Sequence, residues 1–470
     1  MSDAEMLYRN GLAMLRHVRE APTFMTYDAR ADAYIAPGHR LAELRVWAGA
    51  RGIRDLSIVS DANGDAAPFF DARTPRDYQR DAVDRWLAGG GRGSVVLPTG
   101  AGKSFVAILA VHETGGRACV VAPTRALVAQ WYGQLADAFG ADRVGAWYGD
   151  EKALAPITVT TYHSLFPLVE RHGAAFETLV LDEAHHLADG ATGGARVWHD
   201  AVRIAPSARR LGLTATYPDG RDAALRELVG PVVYRRAIAE MADAELAAFV
   251  VERRYVRLNA AERTQYDACD VAYTTFIEDR GYRERFTDRT TRWKVFMAET
   301  RRSPAARRAF RAFRERERII ALPEAKLRET GRLLRLFAAE SALIFCGSTD
   351  AAERVSRRFA LPMIAADTPA SERKRLLDRI DAGVVRAVAS VRVLDEGWDV
   401  PSAKLGIVLG DSTKGSKRQH AQRLGRLLRR QGDRVASLFE VVVADTHEFY
   451  AAQKRGTAVR HEQPQLGLGF

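Results

Sequence analysis

The sequence predicts an α/β protein: two parallel-sheet domains in tandem, joined by a helical insertion and preceded by a small α+β unit. Three observations predict it. Short apolar runs (SVVLP, ACVVAP, ITVTTY, TLVLDE, RRLGLTAT) alternate with helical stretches from Asp77 onward, as in strands buried on both faces. A second series (ALIFCG, AVASVRVL, KLGIVLGD, SLFEVVVAD) begins near Leu343. Finally, 470 residues exceed what one hydrophobic core usually serves, and 47% apolar residues suffice to bury several.

In chain order, residues 1–72 read as the small unit: an amphipathic helix near 4–20, a strand pair around TFMTY and AYIAP, and a helix near Leu41 to Arg51. The polar stretch SDANGDAAPFFDARTP is its exit linker. Residues 73–232 form the first sheet domain and 323–456 the second. Between them, 233–322 is rich in Arg, Glu and aromatics, has no strand run beyond VVERRYVRL, and is expected to be mostly helical. Residues 457–470 are a polar, charged tail.

The net charge of +11 favours a polyanionic partner, and its distribution sharpens that. Between Arg283 and Arg318 there are 13 Arg or Lys against 5 Asp or Glu, so +8 of the excess falls within 36 residues. Arg307, Arg311, Arg314 and Arg318 recur at helical spacing as one basic stripe that can follow a phosphate backbone, while Phe310 and Phe313 turn into a helical hairpin. Trp293 and Phe296 could stack on bases, although core packing is the favoured reading. Cys119, Cys269 and Cys346 are far apart and form no CxxC pair, against a disulfide framework or a zinc ribbon. No apolar run approaches the roughly 20 residues a membrane helix needs, and the N-terminus lacks a signal pattern; a cytoplasmic protein with no membrane partner is expected.

The run Pro98-Thr99-Gly100-Ala101-Gly102-Lys103-Ser104 carries the first specific chemistry. A glycine-rich turn between an apolar strand and a helix lets backbone N–H groups close round phosphates; Lys103 can reach the β and γ phosphates, and Ser104 can hold Mg2+. Further on, Asp182-Glu183-Ala184-His185 ends another apolar strand. Parallel strands direct their carboxyl ends to one edge, so Asp182 is expected at the same Mg2+ and Glu183 near the γ phosphate, where it can orient or deprotonate water. The ATP cofactor follows from that pairing. His185 and His186 have no Cys or His partners at ligand spacing, which disfavours zinc.

With these two motifs in place the sequence resembles the superfamily 2 helicases, as a DEAH-box-containing member, over roughly residues 75–445. Tyr78-Gln79 looks like the adenine-reading glutamine motif. Thr124 and Arg125, then Thr160 and Thr161, resemble motifs that grip a nucleic-acid backbone. Thr214-Ala215-Thr216 resembles motif III, which with His185 couples hydrolysis to movement. Gly397-Trp398-Asp399 resembles nucleotide-contacting motif V, and Gln422-Arg423-Leu424-Gly425-Arg426-Leu427-Leu428-Arg429 fits motif VI. Arg426 and Arg429, three apart on one helix face, would supply rigid cations to the γ phosphate from the opposing domain. The resemblance implies RecA-like motor domains. Within the superfamily the pattern is most similar to the XPB-like group, which implies a thumb-like insertion on DNA and 3′ to 5′ movement. The Arg-Glu-Asp element of that group after motif III is absent: the sequence reads TATYPDGRDAAL.

The tail residues Gln465, Leu466, Leu468 and Phe470 resemble the short peptide by which bacterial repair proteins dock on the sliding clamp, a flexible ligand with alternate apolar anchors. The expectation is therefore a DNA-dependent ATPase and helicase or translocase in repair or replication. Two rivals stand beside it: an RNA helicase, because backbone-gripping motifs do not report the sugar, and an ATP-switched binding component of a larger complex.

Overall fold

The computed structural model describes residues 4–57, 68–115, 117–188, 194–241, 249–365, 367–391, 403–410 and 436–454. The chain divides into two compact units, Met1–Met241 and Ala242–Phe470. Among the described residues no helix is long and apolar enough to cross a membrane.

The first unit opens with a five-stranded sheet rather than the expected helix at 4–20. Glu5–Arg9 and Leu12–Arg16 pair antiparallel, and Asn10 (φ 51°) and Gly11 (φ 79°) make the turn. Two successive positive φ values define a tight hairpin turn whose twist matches the strands, and Asn-Gly is its preferred sequence. That dipeptide overrides the amphipathic pattern around it. Thr26–Asp28, Ala33–Pro37 and Arg54–Asp55 complete the sheet, and the helix Leu41–Gly49 packs Leu41 and Leu44 against Met6, Ala13 and Leu15.

This sheet is fastened to the larger domain behind it. The Tyr8 hydroxyl donates to the Val169 carbonyl at 2.8 Å. A Cβ on Gly38 would lie 2.0 Å from the Ile204 carbonyl oxygen, so only glycine permits that approach. His39 donates Nδ1–H to the Arg203 carbonyl at 3.0 Å; burial, helped by the Arg210 charge, lowers its pKa to about 3 and keeps it neutral.

Eight strands form the next sheet, in the order Val232–Arg235, Arg92–Val96, Arg209–Thr214, Thr178–Asp182, Ala118–Ala122, Ile157–Thr161, Val144–Tyr148 and Glu151–Lys152. All neighbours are parallel except the last pair. The strand Arg209–Thr214 lies between the one entering the glycine-rich loop and the one ending at Asp182, so all three carboxyl ends meet at one edge.

In the second unit six parallel strands run in the order Phe249–Val256, Ala436–Val443, Ala403–Val408, Ser341–Cys346, Ala387–Val391, Met363–Ile364. The expected connector 233–322 is corrected at both ends. Val232–Arg235 closes the first sheet, and Phe249–Val256, the VVERRYVRL run, pairs along eight positions with Ala436–Val443 as an edge of the second. The helical expectation holds for what lies between: Ala260–Asp279, Tyr282–Arg285, Arg289–Thr300 and Pro304–Ala321. Asn259 and Glu262 cap the first of these reciprocally, a capping box that fixes where it starts. The helix Glu324–Leu336 is pinned beneath the sheet by a fully buried ion pair, Lys326 Nζ donating to Glu448 at 2.8 Å, while the other Glu448 oxygen accepts from the Val443 N–H at 2.7 Å. Removing either partner would strand a buried charge at about 3–5 kcal/mol.

Candidate nucleotide and nucleic-acid site

The glycine-rich loop leaves the strand Arg92–Val96 and enters the helix Lys103–Glu113. Gly100 (φ 86°) and Gly102 (φ 75°) take the left-handed conformation that turns successive N–H groups inward. Lys103 Nζ donates to the Leu97 and Pro98 carbonyls, each at 3.2 Å, so its ammonium lies along the loop rather than out in solvent. The Thr99 hydroxyl is buried and has no hydrogen-bond partner among the described residues, as a donor waiting for a phosphate oxygen would be. Ser104 follows Lys103 in the first turn of the helix, where helix-terminal N–H groups favour an anion.

Gln79 and Tyr78, in the helix Asp77–Ala88, hold this loop from below. Gln79 Nε2 donates to the Ala101 carbonyl at 3.2 Å while its Oε1 accepts from the Arg76 N–H at 3.0 Å; the Tyr78 hydroxyl donates to the same Ala101 carbonyl at 2.7 Å. A Cβ on Gly102 would lie 2.5 Å from Gln79 Nε2, so the glycine is required by the glutamine's seat as well as by φ. Both ends of the Gln79 side chain thus engage the protein itself.

Asp182 is buried at its strand end. One carboxylate oxygen accepts from Trp131 Nε1 at 2.9 Å and the other from the Glu183 N–H at 3.0 Å; the Tyr162 hydroxyl donates to its carbonyl at 2.9 Å. Burial, followed by the charge of Glu183, raises the Asp182 pKa against the opposing pull of Trp131 and Lys103. Burial also acts to raise Glu183, but the contact with His185 and the charge of Lys103 outweigh it and hold that carboxyl below its usual range. Lys103 therefore lies within electrostatic reach of both carboxyls, and Glu183, at φ 50°, sits in a backbone conformation that a non-glycine residue adopts only under constraint.

His185 joins this pair to the neighbouring strand. Its Nδ1 lies 2.9 Å from Thr214 Oγ1 and 3.2 Å from Glu183 Oε2. The Thr214 hydroxyl gives its one proton to the Thr216 carbonyl at 2.9 Å, so its oxygen accepts from the Thr216 N–H and from His185. Nδ1 therefore carries the imidazole proton and directs it between Thr214 and Glu183. The roles of Trp131 and Tyr162 were missed in the sequence although both lie inside quoted motifs; an indole N–H or phenol buried beside a carboxylate is the signal that could have marked them.

Of the expected backbone-gripping residues, Thr124 and Arg125 are exposed at the start of the helix Arg125–Phe139. Thr161 caps the helix Tyr162–His172 by accepting from the Ser164 N–H at 3.2 Å. Thr160 is a correction: it is fully buried and its hydroxyl donates to the Trp147 carbonyl at 2.6 Å, so the side chain is not presented to a ligand. In the insertion, Arg307, Arg311 and Arg314 are exposed along Pro304–Ala321; Arg318, also exposed, is paired with Glu315 at 2.5 Å. Phe310 and Phe313 turn into ring contacts with Trp293, and Phe296 is core while Trp293 is 39% exposed. Gly397, Asp399, Gln422, Arg426 and Arg429, and the tail residues Gln465, Leu466, Leu468 and Phe470, lie outside the described residues.

Residues 73–219 match the family described as type III restriction enzyme, res subunit, and residues 310–461 match the ERCC3/RAD25/XPB C-terminal helicase family. The DNA 3′-5′ translocase XPB2 of Sulfurisphaera tokodaii is 35% identical over 440 residues, 90% of this chain and 97% of that protein. The DNA 3′-5′ helicase XPB of Kineococcus radiotolerans is 28% identical, covering 94% of this chain and 73% of the relative. Among solved structures, S. cerevisiae Dbp5 bound to RNA and ADP BeF3 superposes with a TM-score of 0.57 at 16% identity, over 83% of this chain and 89% of that one, a likeness of fold.

Proposed function

This chain belongs to the XPB family of superfamily 2 helicases, and from that premise we propose that it hydrolyses ATP to move 3′ to 5′ along DNA. Membership corrects one expectation: Asp182-Glu183-Ala184-His185 spells a DEAH tetrapeptide, but the XPB family is not a DEAH-box family.

The reading assigns a role to each group described above. Lys103 and the loop N–H groups bind the β and γ phosphates, with Thr99 a further donor. Ser104 and Asp182 hold Mg2+, an assignment that a hydroxyl and a buried carboxylate at one sheet edge fit, since Mg2+ takes few protein ligands beside phosphates and water. When bound, the metal bridges phosphate oxygens and neutralises their charge. Glu183, kept ionised by His185 and Lys103, orients the attacking water and accepts its proton. Gln422, Arg426 and Arg429 supply the cations of motif VI, Gly397 and Asp399 contact the nucleotide, and Gln79 reads the base while bracing the loop. Thr124, Arg125 and Thr161, with Arg307, Arg311 and Arg314, follow the DNA backbone.

The observation that carries the motor reading over a passive switch is the shared proton of His185, which ties Glu183 to Thr214 and Thr216. A change at the γ phosphate felt by Glu183 has a direct path into the neighbouring strand end. The DNA-directed names of the archaeal and bacterial relatives favour DNA over RNA and a cytoplasmic site of action. ATP hydrolysis measured with DNA, with RNA and without nucleic acid, together with strand displacement on 3′-tailed and 5′-tailed duplexes, tests the proposal. DNA stimulation and 3′-tail preference are expected. If saturating DNA leaves the wild type no faster than Glu183→Gln, the motor reading fails.

A further inference from the structure

Inside the helical insertion, rings and cations surround a space that packing leaves open. The helices Ala260–Asp279, Arg289–Thr300 and Pro304–Ala321 border a cavity of about 410 Å3, lined by Tyr273, Trp293, Phe296 and Phe313. Protein cores hold few voids larger than a water molecule, whereas a site for a small ligand occupies roughly 300–1,000 Å3. Phe296 is closed into the core, but Trp293 is 39% exposed, so the cavity can be entered along its ring.

The charge round these rings is selective. Arg283, Arg292 and Arg316 reach the lining, against one carboxylate, Glu317. Glu317 is itself engaged by His447 at 2.7 Å and by Arg316 at 3.4 Å. Arg316 is fixed by Asp270 at 2.6 Å and lies over the Tyr273 ring at 4.7 Å, which makes it a wall. Arg292 differs: its Nε is buried with no hydrogen-bond partner among the described residues. Buried guanidinium N–H groups are normally satisfied, and one turned into a ring-lined cavity is a donor without an acceptor.

We propose that this cavity takes one nucleotide, its base stacked on Trp293 and its phosphate met by Arg292 and Arg283. A planar ligand suits the rings and an anion suits the arginines. The inference rests on the DNA reading above, since the same helix Pro304–Ala321 carries the exposed arginines Arg307, Arg311 and Arg314 on another face. The insertion would then hold a strand by one unstacked base as well as by its phosphates.

Affinity for a thymidine oligonucleotide and for its base-free deoxyribose-phosphate counterpart of equal length tests this in the full chain. The wild type should bind the base-free strand roughly tenfold more weakly, the size of one stacked base. Trp293→Ala should lose roughly that tenfold on the thymidine strand alone, so the two affinities converge, and Trp293→Phe should restore most of the difference. An unchanged thermal midpoint checks the fold, and excess thymidine 5′-monophosphate separates the sources. Displacement of the strand from the wild type but not from Trp293→Ala means the pocket also accepts a free nucleotide; no displacement means it holds the nucleotide within a strand. Equal wild-type affinity for both strands overturns the proposal, as does a difference that survives in Trp293→Ala. DNA-stimulated ATP hydrolysis in the same wild-type sample would show that the motor reading stands when the pocket fails.

Discussion

Replacing His185 by Ala removes a proton shared between a carboxylate and a hydroxyl, and the structure specifies how that loss should combine with a second one. His185 is 3% exposed, with Nδ1 2.9 Å from Thr214 Oγ1 and 3.2 Å from Glu183 Oε2. A contact with an ionised partner is worth about 1.5–3 kcal/mol; taken as about 2, its loss slows DNA-stimulated turnover about thirtyfold. Thr214→Val keeps the shape but removes the acceptor that fixes the imidazole, and should slow turnover by a similar factor. If both act through the one N–H, the double variant remains near thirtyfold; independent effects would multiply to about nine hundredfold. Thr158→Val serves as the control, because its buried hydroxyl donates to the Ala155 carbonyl at 2.7 Å in a different strand. Its effect on turnover should multiply with that of His185→Ala. The assay is kcat for ATP with saturating DNA across the set, with thermal midpoints to separate folding from catalysis. Multiplicative losses for His185 and Thr214 would refute the coupling.

Other outcomes follow from single contacts. Trp131→Phe deprives Asp182 of a donor and should raise the Mg2+ concentration for half-maximal hydrolysis severalfold. Protonation of Asp182 competes with the metal, so activity should fall as pH drops through a pKa already raised by burial, and this acid limb should lie higher still in the variant; superimposable profiles would remove Asp182 from the metal site. Gly38→Ala places a Cβ 2.0 Å from the Ile204 carbonyl and should break the Tyr8 and His39 fastenings, costing about 3 kcal/mol at about 1 kcal/mol per contact, with faster proteolysis near residue 60. Gly49→Ala, with nothing within 4 Å, is the neutral comparison. Changing Arg307, Arg311 and Arg314 together to Gln should reduce the slope of log affinity against log salt by roughly 2–3 if all three meet phosphates. Leu466→Ala with Phe470→Ala should abolish capture by a bacterial sliding clamp; equal capture of both proteins removes the clamp from the list of partners.

What the sequence made legible and what it hid divide along the reach of the interactions. The loop from Pro98 to Ser104 and the helices of the insertion are written in local terms, turn glycines and periodicity, and they fold as read. The same local logic found Asp182 and Glu183. It failed at 4–20 only because Asn10-Gly11 was outweighed by a weaker periodic signal. The burial of Thr160 is of another kind. Its motif resembles one that touches nucleic acid, yet which alternate residue of a strand faces a neighbour depends on strands remote in sequence, here the pairing with Val144–Tyr148. Strand order is the largest such hidden quantity. Nothing local says that Arg209–Thr214 inserts between Arg92–Val96 and Thr178–Asp182, although this order decides that Thr214, rather than a residue from another strand, faces His185. Two motifs read separately, one for hydrolysis and one for coupling, are therefore one hydrogen-bonded object, and a substitution on either side of the His185 proton must be felt on the other.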